Sequence, residues 1–177
     1  PMHSESGRYV VTYNGEIYNH LELRVELAKA GKSIWRGQSD TETLLACFEQ
    51  WGIEHTIKRC VGMFAMAVWD KHSKELVLIR DRLGEKPLYY GYVDGSFVFG
   101  SELRSIAAIA TRKLDFNRDA FALFLRYGSI PQPNSAYQGI AKLQAGALVR
   151  MNGEQLRKTQ LPAVQTYWRP DDFLQGS

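Results

Sequence analysis

Val10-Val11-Thr12-Tyr13-Asn14-Gly15-Glu16-Ile17-Tyr18-Asn19 opens on an apolar, β-branched run and closes on groups of three distinct chemistries. The opening predicts a strand. Asn14 can donate and accept, Gly15 lets a ligand approach the backbone because it has no Cβ and tolerates positive φ, and Glu16 brings a carboxylate alongside. The strand is expected to deliver all three to one turn, an arrangement that grips a small polar molecule. Asn-Gly is also a favoured hairpin turn, so this stretch alone leaves a purely structural reading open.

Downstream the composition changes. Asn19 followed by Glu22 has capping-box spacing and predicts a helix to about Lys29, closed by Gly31. Leu21, Leu23, Val25 and Leu27 alternate like a strand, but composition, cap and terminal glycine favour the helix. Ser39-Asp40-Thr41-Glu42 is a second capping box, after which Leu44, Cys47, Phe48 and Trp51 fall on one helical face as far as Gly52. An aspartate at a helix start is held ionised by backbone N–H groups and can still offer a spare oxygen to a cation.

The second half reads mainly as hairpins. Met63–Trp69 and Leu76–Ile79 flank a polar connection, and Leu88–Val93 and Phe97–Phe99 turn at Asp94-Gly95. Between these pairs the loop Arg80–Pro87 is charged, as functional loops often are. A short helix is expected from Ser101 to about Ile109. Another, capped by Asn117, carries Phe121, Phe124 and Leu125 at helical spacing up to Gly128. Ile130–Asn134 holds two prolines and must be extended or turning. A last hairpin is expected from Ala147 to Arg157 around Asn152-Gly153, with a linker starting near Tyr167-Trp168. These elements predict an α+β sandwich, a class that by itself names no function.

Composition narrows the possibilities. The 177 residues, 45% hydrophobic and 23% charged, suffice for one domain with a sizeable core. A net charge of +3 without a basic block points to neither nucleic acid nor membrane surface, and no apolar run reaches the length of a span. Cys47 and Cys60 lack C-x-x-C spacing and read as reduced, buried thiols of a cytoplasmic protein. The four histidines are scattered and offer no metal site. Arg80, Arg82 and Lys86 beside Tyr89, Tyr90 and Tyr92 could form a single-stranded RNA surface, which the small net charge disfavours.

Several stretches, taken together and in order, carry a resemblance. They are Tyr13–Asn19, Ser39–Glu42, Gly62-Met63-Phe64-Ala65, Arg80–Tyr90, Gly100-Ser101-Glu102 and Ile140–Gly146. The chain resembles the class II glutamine amidotransferase domain, in particular the N-terminal glutaminase half of glutamine-hydrolysing asparagine synthetases. The likeness spans residues 1–168, with 169–177 expected to begin a linker toward a synthetase domain. It implies an N-terminal-nucleophile (Ntn) hydrolase fold, a four-layer αββα sandwich with two antiparallel sheets.

What the resemblance implies for the site is specific. Asn14, through its side-chain amide, and Gly15, through its backbone N–H, would form an oxyanion hole, and preorganised donors of that kind are worth several kcal/mol at a developing oxyanion. Glu16 and Asp40 would grip the α-ammonium of L-glutamine. The family's nucleophile is a cysteine at the mature N-terminus, whereas this chain starts at Pro1, and neither Cys47 nor Cys60 lies where it could substitute. The expectation is therefore a chain cut at both ends and itself inactive. The intact protein would pass ammonia to an aspartate activated in a C-terminal domain that uses ATP and Mg2+; other carboxylates, sugars or peptides remain open as acceptors. No cofactor is expected in this domain, and a homodimer is possible. The alternative reading is a non-catalytic module that binds glutamine or docks a partner.

Overall fold

The computed structural model describes residues 1–32 and 34–173. Strands β1 (Met2–His3), β2 (Tyr9–Ile17), β3 (Gly62–Asp70), β4 (Glu75–Arg80), β8 (Ala147–Asn152) and β9 (Val164–Thr166) form one antiparallel sheet in the order β1-β2-β3-β4-β8-β9. A second antiparallel sheet has the order β6-β5-β7, from β5 (Tyr89–Val93), β6 (Ser96–Gly100) and β7 (Ile140–Lys142). Helices α1 (His20–Lys29) and α2 (Asp40–Arg59) cover the first sheet, while α3 (Leu103–Ala108) covers the second.

Side-chain alternation along the strands produces the layers. Phe64, Met66 and Val68 of β3 face the helices with Val11, Ile17, Val77 and Ile79, packed on Leu23, Leu27, Leu44, Phe48 and Ile57. The intervening Ala65 and Ala67 face the other sheet with Leu78 and Val149, against Leu88, Tyr90, Ala141 and Leu143. The far face of that sheet buries Val93, Val98 and Ile140 under Ile106 of α3. The result is the αββα sandwich. β3 is central and buried on both faces, which explains its unbroken apolar run from Met63 to Val68. Each fully buried large side chain such as Phe48 or Phe64 contributes about 1.5–3 kcal/mol.

Local signals fared unequally. The Asp94-Gly95 turn forms with φ +50° and +77°, the pair of positive values that a tight hairpin demands. Asn117 caps α4 (Arg118–Tyr127) by accepting from the Ala120 N–H, and left-handed Gly128 ends it. At Gly52 (φ +76°, ψ 168°) the helical conformation is interrupted as expected, but a further helical stretch continues to Arg59.

Other expectations are corrected. Asn14-Gly15 is not a turn: β2 runs through both to Ile17, and the chain turns only afterwards. Asn19 does not close a capping box. Its Nδ2 donates to the Arg59 carbonyl at 3.0 Å and its Oδ1 accepts from the Val61 N–H at 2.9 Å, tying α1 to the α2–β3 junction. The Ala147–Arg157 hairpin is absent. After β8 the chain enters a 3₁₀ turn at Gln155–Arg157, with the Asn152 side chain accepting from the Glu154 and Gln155 N–H groups, and β8 pairs instead with β9.

The chain is still packed at Tyr167 and Trp168. Tyr167 donates its hydroxyl to the Arg80 carbonyl at 2.9 Å, and both residues donate backbone N–H groups to the Gly146 carbonyl. Of the expected linker, Pro170–Phe173 forms a 3₁₀ turn and residues 174–177 lie outside the described residues.

Candidate active site

β2 and β3 pair in a register that places Ile17 opposite Gly62 and Gly15 opposite Phe64. Tyr18 donates its N–H to the Val61 carbonyl at 2.8 Å. Antiparallel pairs alternate between hydrogen-bonded and non-hydrogen-bonded, so the even-numbered residues of β2 bond to β3 while Tyr13, Gly15 and Ile17 turn their N–H groups outward. Ile17 confirms the direction by donating to Asp40 Oδ2 at 2.9 Å. β1 covers this outer edge only at Val10 and Val11. The Gly15 N–H therefore points to an edge that no strand covers among the described residues.

The close pairing explains the glycines. A Cβ on Gly15 (φ +154°) would lie 2.1 Å from the Met63 carbonyl oxygen and 2.6 Å from the Phe64 Cα. One on Gly62 would lie 2.1 Å from the Glu16 carbonyl oxygen. The two strands meet more tightly here than any side chain permits.

Asn14 and Glu16 project from the opposite face to Gly15, and both are exposed. The Asn14 Nδ2 donates to Ser101 Oγ at 3.0 Å, linking β2 to the end of the second sheet. The Glu16 carboxylate makes no hydrogen bond or ion pair among the described residues, so it is uncommitted.

Asp40 is the first residue of α2, with Ser39 capping the helix by accepting from the Thr41 N–H at 3.1 Å. Its Oδ2 accepts from the Tyr13 hydroxyl at 2.8 Å and from the Ile17 N–H, whereas Oδ1 takes only a 3.4 Å contact from the Thr41 hydroxyl. One oxygen is thus spent on β2 and the other is largely free. Burial, with the bond to Asp40 next, pushes the Tyr13 phenol far above its ordinary value, so it remains a donor at any physiological pH. Asn14, Gly15 and Glu16 are consecutive on β2, and Asp40 is bonded to the same strand at Tyr13 and Ile17, on the face opposite Asn14 and Glu16. Tyr13 and Ser101, which hold two of them, lay inside the quoted stretches, but nothing in the sequence assigned them those contacts.

The cysteines are elsewhere. Cys47 and Cys60 are fully buried, and burial pushes both thiols up to about 12. Neither serves as a nucleophile near neutral pH.

The charged loop Arg80–Pro87 is a clamp rather than a binding surface. Asp81, fully buried, accepts four backbone N–H groups: Leu83 and Glu85 on Oδ1, Phe64 and Lys86 on Oδ2. Arg80 is equally committed, donating to the carbonyls of Gly84, Lys86 and Leu143 and to Gln132 Oε1. Arg80 and Tyr90 are buried, which withdraws one basic and one aromatic group from the RNA surface that the sequence suggested.

Among the described residues no group of three His, Cys, Asp or Glu side chains is placed to hold a metal, and no helix is long and apolar enough to cross a membrane.

Two facing antiparallel sheets between helices define an Ntn-type sandwich fold. Solved structures agree: the chain superposes on glutamine phosphoribosylpyrophosphate amidotransferase from B. subtilis with a TM-score of 0.60 at 18% identity, over 94% of this chain and 31% of that one. The allosteric regulatory enzyme of purine biosynthesis gives 0.59 at 18% identity, over 90% and 28%.

The chain belongs to the glutamine amidotransferase domain family, whose model matches residues 1–168. It is similar to a putative glutamine-hydrolysing asparagine synthetase of Mycobacterium tuberculosis, 32% identical over 92% of this chain and 25% of that protein. It also resembles asparagine synthetase 1 of Bacillus subtilis (32%, covering 92% and 26%) and a putative asparagine synthetase of Methanocaldococcus jannaschii (33%, covering 93% and 30%). The chain thus spans only about a quarter to a third of the length of these relatives.

Proposed function

We propose that this domain is the glutaminase half of an asparagine-synthetase-type enzyme. The observation that carries the reading is the outward Gly15 N–H on the uncovered edge of β2, two residues from the Ile17 N–H that Asp40 holds. On this reading the Gly15 N–H and the Asn14 amide receive the oxyanion that forms when the glutamine side-chain amide is attacked. Glu16 and the free oxygen of Asp40 bind the α-ammonium of L-glutamine.

On this reading the attacking thiolate is that of the N-terminal cysteine implied by the family resemblance, since Cys47 and Cys60 are buried. It adds to the amide carbon, the C–N bond breaks with a proton delivered to the leaving nitrogen, and ammonia departs. Water then cleaves the glutamyl thioester to glutamate and free thiol. Ammonia passes to a C-terminal synthetase portion, which activates aspartate with ATP and Mg2+ and forms asparagine in the cytoplasm. The names and greater length of the relatives support this second half.

The test is ammonia release from glutamine. The complete polypeptide should release it, and this chain alone should release none. Release by the chain alone would refute the external nucleophile. A complete polypeptide that binds glutamine without hydrolysing it would be a non-catalytic binding module.

A further inference from the structure

Asn14 and Ser101 are 87 positions apart in the sequence, on β2 and at the end of β6, yet the Asn14 side-chain amide donates to the Ser101 hydroxyl at 3.0 Å. Ser101 follows directly on β6, and both residues line a cavity of about 300 Å³ that opens between the sheets, with Thr12, Leu88 and Phe99. The contact is informative because of what an asparagine must do to stabilise an anion. Its terminal torsion is broad and soft, and Asn14 is exposed. A dipole that must reorient during the reaction stabilises developing charge less than one already fixed. The Asn14 Nδ2 has two protons. Accepting one, Ser101 fixes the amide plane and its N/O sense and leaves the second proton in a set direction.

We propose that Ser101 is a positioning residue for the amide chemistry, acting through Asn14 and not touching the substrate. This inference rests on the glutaminase reading above. Ser101 is also the link by which the second sheet is felt at β2, because the Asn14 amide is held from the end of β6.

The experiment uses the complete polypeptide and measures glutamine hydrolysis for Ser101→Ala, Ser101→Thr and Asn14→Ala. It also measures the affinity of each for glutamate and for the aldehyde analogue of glutamine, whose thiol adduct carries a tetrahedral oxyanion. Ser101→Ala should lower kcat on the order of tenfold with KM within about twofold, less than the 10²–10³-fold typical of losing an oxyanion donor outright. It should weaken the aldehyde by the same factor and leave glutamate affinity unchanged, and Ser101→Thr should recover most of the rate. Equal weakening of aldehyde and glutamate, or a kcat within twofold of the parent, would overturn the proposal. Asn14→Ala separates the two levels. If it abolishes most turnover while Ser101→Ala does nothing, the positioning role falls and the glutaminase site stands. If Asn14→Ala leaves turnover intact, the site assignment itself falls.

Discussion

A β-carbon on Gly15 would overlap the Met63 carbonyl at 2.1 Å, a backbone atom of a central strand that cannot yield cheaply. Gly15→Ala should therefore cost about 3 kcal/mol or more, read as a lowered urea midpoint at unchanged slope. A loss below about 1 kcal/mol would mean that the two strands separate more easily than this packing implies. Another residue effect concerns acid. Arg8 donates two bonds to Asp70, at 3.0 and 2.7 Å, and these, followed by the His72 N–H, hold the Asp70 carboxyl at about 2, below its ordinary 3.8. Because the folded value is the lower one, the stabilisation is complete above about pH 4 and is lost as pH falls toward 2. Asp70→Asn should flatten the fall in stability across that window, and an unchanged slope would contradict the assignment. At this scale the sequence was readable in residue type. Asn14, Glu16 and Asp40 were picked out as one donor and two carboxylates, and Asp40 does bond to the strand that carries the other two, at Tyr13 and Ile17. Asn19 was misread because its true partners, Arg59 and Val61, arrive from forty residues away, where no local spacing rule can see them.

Among the elements, the segment Arg80–Pro87 shows how charge can mislead. It read as an exposed functional loop, yet Asp81 spends its carboxylate on four backbone N–H groups and Arg80 spends its guanidinium on carbonyls. Asp81→Ala should leave those donors unsatisfied and cost about 3 kcal/mol or more in thermal or urea unfolding, far above the 0.5 kcal/mol expected of a solvated loop charge. Strands and hairpins with strong turn chemistry, such as Asp94-Gly95, were legible. The return after β8 was not, because Asn152-Gly153 has hairpin composition but its side chain caps a 3₁₀ turn instead. Helix α4 was legible in its caps and not in its setting. Only Ala120 is buried, whereas Phe121, Phe124 and Leu125 are 46%, 44% and 70% exposed, so helical periodicity marked an apolar face without saying what it meets.

For the whole molecule, local composition led no further than an α+β sandwich. The ordered set of motifs led to the four layers, and the structure bears this out in two sheets that face each other through Ala65, Ala67, Leu78, Leu88, Tyr90 and Leu143. What stayed illegible was the direction of a single N–H. Gly15 presents its amide outward only because β2 and β3 pair in one register, and register is a property of two strands that lie nearly fifty residues apart. The central claim is that this edge, with Asp40 beside it, is the glutamine pocket and nothing else. The most direct test is Asp40→Ala in the complete enzyme, with synthesis measured from glutamine and from free ammonia. The account predicts at least a tenfold loss of glutamine-dependent kcat/KM, as expected for a charged group left without its partner, and nearly unchanged ammonia-dependent synthesis. Equal loss of both activities would contradict it.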